Sequence, residues 1–558
     1  MGIEILRNIS YEDIYSDYSK VNLKDLIKGI PTEVALILIC HFSAQLHTQN
    51  DDSEFQLNTL ISWIDRFDEN VRVKIKQIAY EIIVSKKSKF IFIDNVSSLY
   101  LIEALIINRN NLPILNDLSP LQEENLFKAY LYCTSKWQNE QNIIFKEREK
   151  SDLGKIYLEL TLPYYEIHEI KDFRIQFLKA VYFFEFCESN SQFKSYIDLF
   201  FLERGFQNWN DYLFKLMSFY VSLFNNENIG VEVEFDSEDQ DVYNSIKSLT
   251  IDTKSFKSVQ DFISLRENPI YKLSNSKLLI LNVNFLIDKI YHSIFFDLSK
   301  VLIDKGVTFK SNRIKKTQQF LGIIGNEFAE KGLFYKVMKK LFKQKDYSHF
   351  TGDELKLKFG DGSPDYLIID NLKIYVFEFK NTLFSGNVKY SYNYSEIEKE
   401  LEKKIVKNDD GKFKGVTQLA QFILEFKQKE KYKSLTTRDP SNYIVYPVLL
   451  ITDFTFTLPV IYQIIETKLR EALIENGAFK SSNIKKLTIV DLDSLIKFQD
   501  LFIQKRLTLN HVFEDYQLFL SKGINEVDKS LSFSKYLHLK AKKIKYDPSQ
   551  FFINEFEK

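Results

Sequence analysis

Cysteine is nearly missing from this chain: Cys40, Cys133 and Cys187 are the only three in 558 residues. They lie far apart, each in an apolar stretch. This excludes a disulfide framework and predicts buried structural thiols of the kind a reducing cytoplasm preserves. Proline and glycine are scarce as well, at 10 and 17 residues. That argues against a β-sandwich or a disordered chain and for long helices with few breaks. Long hydrophobic runs are lacking: the longest near the start, Val34 to Cys40, is too short to span a bilayer. The opening MGIEILRNISYEDIYSDYS has acidic residues where a signal peptide needs an apolar core, and Met1-Gly2 lacks the Ser or Thr of a myristoylation motif. A cytoplasmic protein with no membrane partner is expected. Of seven histidines, His41 and His47 share a helix but stand six apart, with no Cys-x-x-Cys or His-Glu-x-x-His beside them, so no zinc site is expected. No Gly-x-Ser-x-Gly elbow and no nucleotide-hydrolysing motif occurs, so translocation would need a partner protein.

What is present is ample apolar material, 45% of residues, enough for about three or four compact domains. A net charge of −1 hides an asymmetry: residues 1–300 hold 32 Lys and Arg against 43 Asp and Glu, whereas residues 301–558 hold 43 against 33. The first half is therefore net −11 and the second net +10. A protein that closes around a phosphate backbone needs positive potential near its site. Lys336, Lys339, Lys340, Lys343 and Lys345 form one basic cluster, and Lys427, Lys429, Lys431 and Lys433 another; of these, Lys336, Lys340, Lys343 and Lys427 are candidate nucleic-acid contacts. The most acidic segment, Val231 to Asp241 (VEVEFDSEDQD), predicts an alternating strand entering an acidic loop.

Apolar residues at three- and four-residue spacing predict helices over Thr32 to His47, Asn58 to Phe67, Val71 to Val84 and Leu99 to Ile107. No fixed-period repeat argues for a solenoid. Leu278 to Val301 predicts a short strand feeding a helix that packs against the C-terminal core. Tyr443 to Thr452 is a nearly unbroken apolar run, expected for a strand buried on both faces, and Pro459 to Glu475 predicts the helix after it. Leu487 to Val490 predicts another short strand, followed by a helix with Asp491 or Asp493 near its start.

The most informative stretch is SPDYLIIDNLKIYVFEFKN, Ser363 to Asn381. Gly360-Asp361-Gly362-Ser363 before it has no following Gly-Lys-Ser, so it predicts a turn into a strand and not a phosphate-binding loop. Side chains alternate faces along a strand, so Glu378 and Lys380 project together while Phe377 and Phe379 point into a core. Asn371 follows Asp370 and supplies a turn, so the two runs fold back as a hairpin and bring Asp365 towards Glu378. Two carboxylates and a lysine then share one small volume. That set suits a hard divalent cation and a positive charge beside a scissile phosphate.

The pattern resembles the PD-(D/E)xK nuclease superfamily, which has the restriction-endonuclease-like fold. Family members place a helix with a further acidic residue before the hairpin; GIIGNEFAEKGLFYKVMKKLF offers Glu330, with Glu327 one turn earlier. They carry a glutamine helix after it; GVTQLAQFILEF offers Gln418, with Phe422 where RecB-like members have Tyr. The resemblance covers roughly residues 305–500. It implies an α/β restriction-endonuclease-like core in the C-terminal half, preceded by a mainly α-helical N-terminal half. The expected division is a helical domain 1–150, a mainly helical domain 151–303, a nuclease domain 304–505 and a C-terminal helical extension 506–558. Asp365, Glu378 and the Phe379 carbonyl would ligate Mg²⁺, for which Mn²⁺ can substitute; Glu330 or Glu327 would contribute directly or through water. Lys380 would position or activate the attacking water, with Gln418 approaching it. The expectation is a Mg²⁺-dependent endonuclease acting on DNA rather than RNA, in prokaryotic defence against phage or foreign DNA. A homo-oligomer and a phage-derived or protein trigger remain open as partners. A repair or recombination nuclease, and a non-catalytic nucleic-acid-binding scaffold that keeps the fold, are the alternatives.

Overall fold

The computed structural model describes residues 5–49, 53–84, 88–110, 112, 117–148, 153–224, 230–236, 238–343, 347–408, 411–428, 430–475, 483–523, 529, 531–548 and 552. They fall into two compact units. One comprises the described residues within Lys150–Glu166 and Gly322–Lys558, the other those within Glu4–Glu149 and Ile167–Leu321.

The second unit is mainly helical, as the scarcity of helix breakers requires. Its longest helix, Pro120–Glu147, starts with a capping box in which Ser119 and Gln122 exchange hydrogen bonds, and Pro occupies the first turn, where no N–H is needed. The expected helices are found at Thr32–Gln49, Ser53–Trp63, Glu69–Val84 and Asn95–Ile107. The second of these starts and ends earlier than its apolar spacing suggests, because Ile64 and Phe67 are buried in the turn that follows it. Trp63 anchors an aromatic core with Phe92, Phe127 and Tyr130, ring centroids 5.6–5.7 Å away. All three cysteines are buried and unpaired. The acidic segment does contain a strand, Glu232–Glu234, antiparallel to Lys277–Ile280, which also pairs with Ile270–Lys272. Leu278 to Val301, expected to supply a strand and a helix packing on the C-terminal core, belongs to this helical unit, where its strand is the centre of that small sheet. The helix after it is two, Val283–Ile290 and Ile294–Asp304.

The other unit is built on a five-stranded mixed sheet. Its strands run, from one edge to the other, Thr488–Asp491, Ile444–Ile451, Lys373–Lys380, Tyr366–Asp370 and Ser348–Thr351. The hairpin forms as expected: Asp370 pairs with Lys373, and Asn371 takes the left-handed conformation, φ 54°, that an Asn tolerates. Gly360 and Gly362 have φ of 80° and 91°, so the glycine-rich stretch is a turn. The long central strand runs parallel to Ile444–Ile451, whose residues are buried from Val445 onward. Parallel strands need covered faces. One face receives Phe334, stacked on Phe379 at 4.8 Å, and Phe513, edge-on to Tyr375. The glutamine helix Val416–Gln428 lies on the other and packs in turn on Ile461–Glu475. Asp491 caps the helix Leu492–Lys497, accepting the Ser494 N–H at 2.8 Å.

All three expected boundaries differ: the described residues within 4–149 and 167–321 form one helical unit rather than two domains, and the sheet-bearing unit takes up the chain again at Gly322 rather than at 304. The described residues of 506–558 form no separate extension: Phe513 of helix Leu509–Ser521 and Phe533 of helix Phe533–Lys543 pack together over the sheet. Helix Leu153–Thr161 also belongs to this unit rather than to a 151–303 domain. Glu159 accepts the Tyr394 N–H at 2.7 Å, and Glu166 pairs with Lys389 at 3.0 Å. Such pairings join residues more than 220 positions apart. Because Glu159 is buried, Glu159→Ala is expected to strand the Tyr394 N–H and lower stability by about 1–3 kcal/mol. A urea melt of the variant that overlays wild type would contradict that role.

Candidate active site

The hairpin register sets the site. Phe377 pairs with Tyr366, so one step further Asp365 stands opposite Glu378 with its side chain on the same face. Asp365 Oδ2 accepts the Phe379 N–H at 2.7 Å, which fixes the carboxylate against the central strand. Lys380 Nζ donates to Glu378 Oε1 at 2.7 Å and to Gln418 Oε1 at 3.3 Å. The same Gln418 oxygen accepts the Gly415 N–H at 2.9 Å, so the start of the glutamine helix holds it towards the lysine. Phe422, which replaces the tyrosine, is buried against Phe426 and Tyr432 and takes no part in these contacts.

The acidic helix is not an ordinary α-helix. Gly325–Phe334 is π-helical, between α-helices Thr317–Ile324 and Tyr335–Leu341, and the Tyr335 N–H bonds the Glu330 carbonyl five residues back. Such widened turns recur at functional sites. Glu330, one of the two acidic candidates on it, meets the cluster: its Oε1 accepts the Tyr335 hydroxyl at 2.8 Å, it feels the charge of Asp365, and its own bears on Glu378 and Lys380.

The charges are poorly balanced. Burial, then the Asp365 carboxylate, push the Glu378 carboxyl from the ordinary 4.5 up to about 8 against the pull of Lys380. Burial likewise raises Asp365, with Lys380 and the Phe379 N–H pulling back. Glu330 is raised by burial and by Asp365. Burial works against the charge of Lys380, but Glu378 and Asp365 outweigh it and hold the ammonium above the ordinary lysine range. Glu378 is 1% exposed, and its Oε2 has no hydrogen-bond partner among the described residues. A buried carboxylate oxygen without a donor costs free energy unless something positive meets it. Among the described residues no three His, Cys, Asp or Glu side chains are gathered closely enough to hold a metal by themselves. Any cation here would therefore draw on the orphaned Glu378 oxygen, Asp365 and backbone or water oxygens.

The basic residues divide. Lys336 and Lys343 are exposed and Lys340 half-buried, along and just past the acidic helix. Lys427 is committed elsewhere: its ammonium donates to the Ser441 carbonyl at 3.0 Å and to that of Tyr443. Lys345 and Lys429, and the side chain of Lys431, lie outside the described residues.

Sequence reasoning missed Tyr335 and Gly352. The Gly352 N–H donates to the Asp365 carbonyl at 2.8 Å, and a Cβ there would come within 3.1 Å of the Asp365 backbone. The helix it opens, Gly352–Phe359, had a legible signal in the capping box of Thr351 and Glu354. No signal pointed to Tyr335, since residues five apart are about 140° apart around an α-helix.

No family model, curated protein or solved structure matches the chain.

The raised carboxyls set the sign of a pH dependence. A folded state that binds protons more tightly than the unfolded one has its full benefit below the unfolded pKa and loses it as pH rises through the folded one. In EDTA, the thermal midpoint of the wild type is expected to fall between about pH 5 and about pH 8, where Glu378 titrates. Glu378→Gln should flatten that slope; an equally steep slope in the variant would remove Glu378 as its source. Gly352→Ala is expected to destabilise by about 1–3 kcal/mol through overpacking against Asp365, read as a lowered denaturant midpoint.

Proposed function

We propose that the chain is a metal-dependent nuclease of the PD-(D/E)xK type, hydrolysing phosphodiester bonds of DNA in preference to RNA. The observation that carries this reading is the buried hairpin on which Asp365, Glu378 and Lys380 meet, with Glu378 Oε2 lacking any partner among the described residues. The orphaned oxygen and the mutual repulsion of Asp365, Glu378 and Glu330 fit a divalent cation. Asp365, Glu378 and the Phe379 carbonyl would hold it, with Glu330 reaching it through water, and Mg²⁺ or Mn²⁺ suits the all-oxygen set. The cation would supply Lewis acidity at the phosphate and a more acidic bound water.

The chain's own residues do the rest. Lys380 keeps its charge in this field, so it faces the attacking water as a hydrogen-bond donor and offsets charge that grows on the phosphate oxygens. Gln418 gives the ammonium a second acceptor besides Glu378, which limits its rotamers. Asp365, tied to the strand backbone, keeps one oxygen for the Phe379 N–H and leaves the other for the site. Lys336, Lys340 and Lys343 lie on the helix and turn that follow Glu330, where they would meet a phosphate backbone. Use in defence against phage or foreign DNA, with the helical unit in recognition, regulation or assembly, extends the reading and rests on architecture alone.

Purified protein should cut at least one of supercoiled plasmid, linear duplex, single-stranded DNA and RNA with Mg²⁺ or Mn²⁺, and not with EDTA. Lys380→Ala should reduce cutting by about two to three orders of magnitude. Its fold should survive, because Glu378 can take up a proton once the ammonium is gone. Wild-type rates in that variant would overturn the assignment. A folded protein that binds no cation would favour a non-catalytic nucleic-acid-binding role.

A further inference from the structure

Glu330 extends towards the site from the π-helical stretch, and its carboxylate accepts a hydrogen bond from Tyr335. The Tyr335 ring is 6% exposed and packed between Phe334 and Tyr366, with centroids at 5.5 and 5.9 Å. Its hydroxyl is therefore held by ring packing and not by a flexible stem. In the π-helical turn the Tyr335 N–H meets the Glu330 carbonyl, so the two residues are neighbours along the helix, and the hydroxyl donates to Glu330 Oε1 at 2.8 Å. An α-helix would carry the pair to different sides. The space for the hydroxyl comes from residue 352: a Cβ on Gly352 would stand 3.0 Å from the Tyr335 oxygen as well as 3.1 Å from the Asp365 Cα. The tyrosine thus sits at the junction of the acidic helix and the strand that carries Asp365.

Resting on the cation-dependent reading above, we propose that Tyr335 is a positioning residue: its hydroxyl occupies one oxygen of Glu330 and turns the other towards a water on the cation that Asp365 and Glu378 would hold. The π-helical stretch and Gly352 are the two features that make this contact geometrically available. A bond from a packed donor to a ligating or water-bridging carboxylate sets that carboxylate's orientation, and loss of such support typically weakens metal binding about 10–100-fold.

The test uses the full chain and Mn²⁺ alone, without nucleic acid, with free Mn²⁺ counted by electron paramagnetic resonance. Tyr335→Phe keeps the ring and removes only the hydroxyl; it is expected to weaken Mn²⁺ binding by about tenfold. Glu330→Asp, which withdraws the carboxylate by one methylene, should produce a similar loss. Glu330→Gln removes the charge, and the double variant Tyr335→Phe/Glu330→Gln should bind no more weakly than Glu330→Gln alone, because the hydroxyl acts only through that carboxylate. A purely structural tyrosine would instead lower the thermal midpoint and multiply the loss in the double variant. Wild-type affinity in Tyr335→Phe, or multiplied losses, would overturn the inference while leaving the cation site intact. A folded wild type that takes up no Mn²⁺ would overturn both the site and the inference.

Discussion

The arrangement around the hairpin depends on one buried imbalance: three carboxyls, Glu330, Asp365 and Glu378, face a single ammonium, Lys380. Repulsion of this kind would drive ordinary side chains apart into water. Here each is held by something it cannot leave. Glu378 and Lys380 are on the central strand of the sheet, Asp365 is pinned by the Phe379 N–H, and Glu330 is bonded to a packed tyrosine. The imbalance is tolerated because the sheet beneath it is covered on both faces and does not yield.

That cover explains why the C-terminal unit takes in parts of the chain that look separable. Tyr375 and Tyr446 stack at 4.8 Å on the sheet face away from Glu378, and Phe513 lies edge-on to Tyr375. Without the helices after residue 505 that aromatic surface would meet water. Helix Leu153–Thr161 plays a matching part beside the segment that follows Lys380, through Glu159 and its bond to the Tyr394 backbone.

The strand alternation of Glu378 and Lys380, the Asn371 turn, the doubly buried strand Ile444–Ile451 and the Asp491 cap were all legible, since each depends on neighbours in sequence. Gln418 beside Lys380 was legible only through the resemblance. Less accessible were Lys427, which looked like a surface cation yet caps two carbonyls, and Tyr335, which helical periodicity assigns to another side. Strand Ser348–Thr351 was overlooked because four residues offer too little alternation to read.

By itself the sequence determined the hairpin, the identity of its charged residues and the helical character of the first half, because periods of two and 3.6 residues and the choice of turn residues act over a few positions. The tertiary structure alone decided which carboxylate of the acidic helix faces Asp365, which lysine stays exposed, and which remote segments complete the unit. Those outcomes follow from packing between residues far apart in the chain, where a widened helical turn or a missing Cβ changes which atoms meet, and no local period records either.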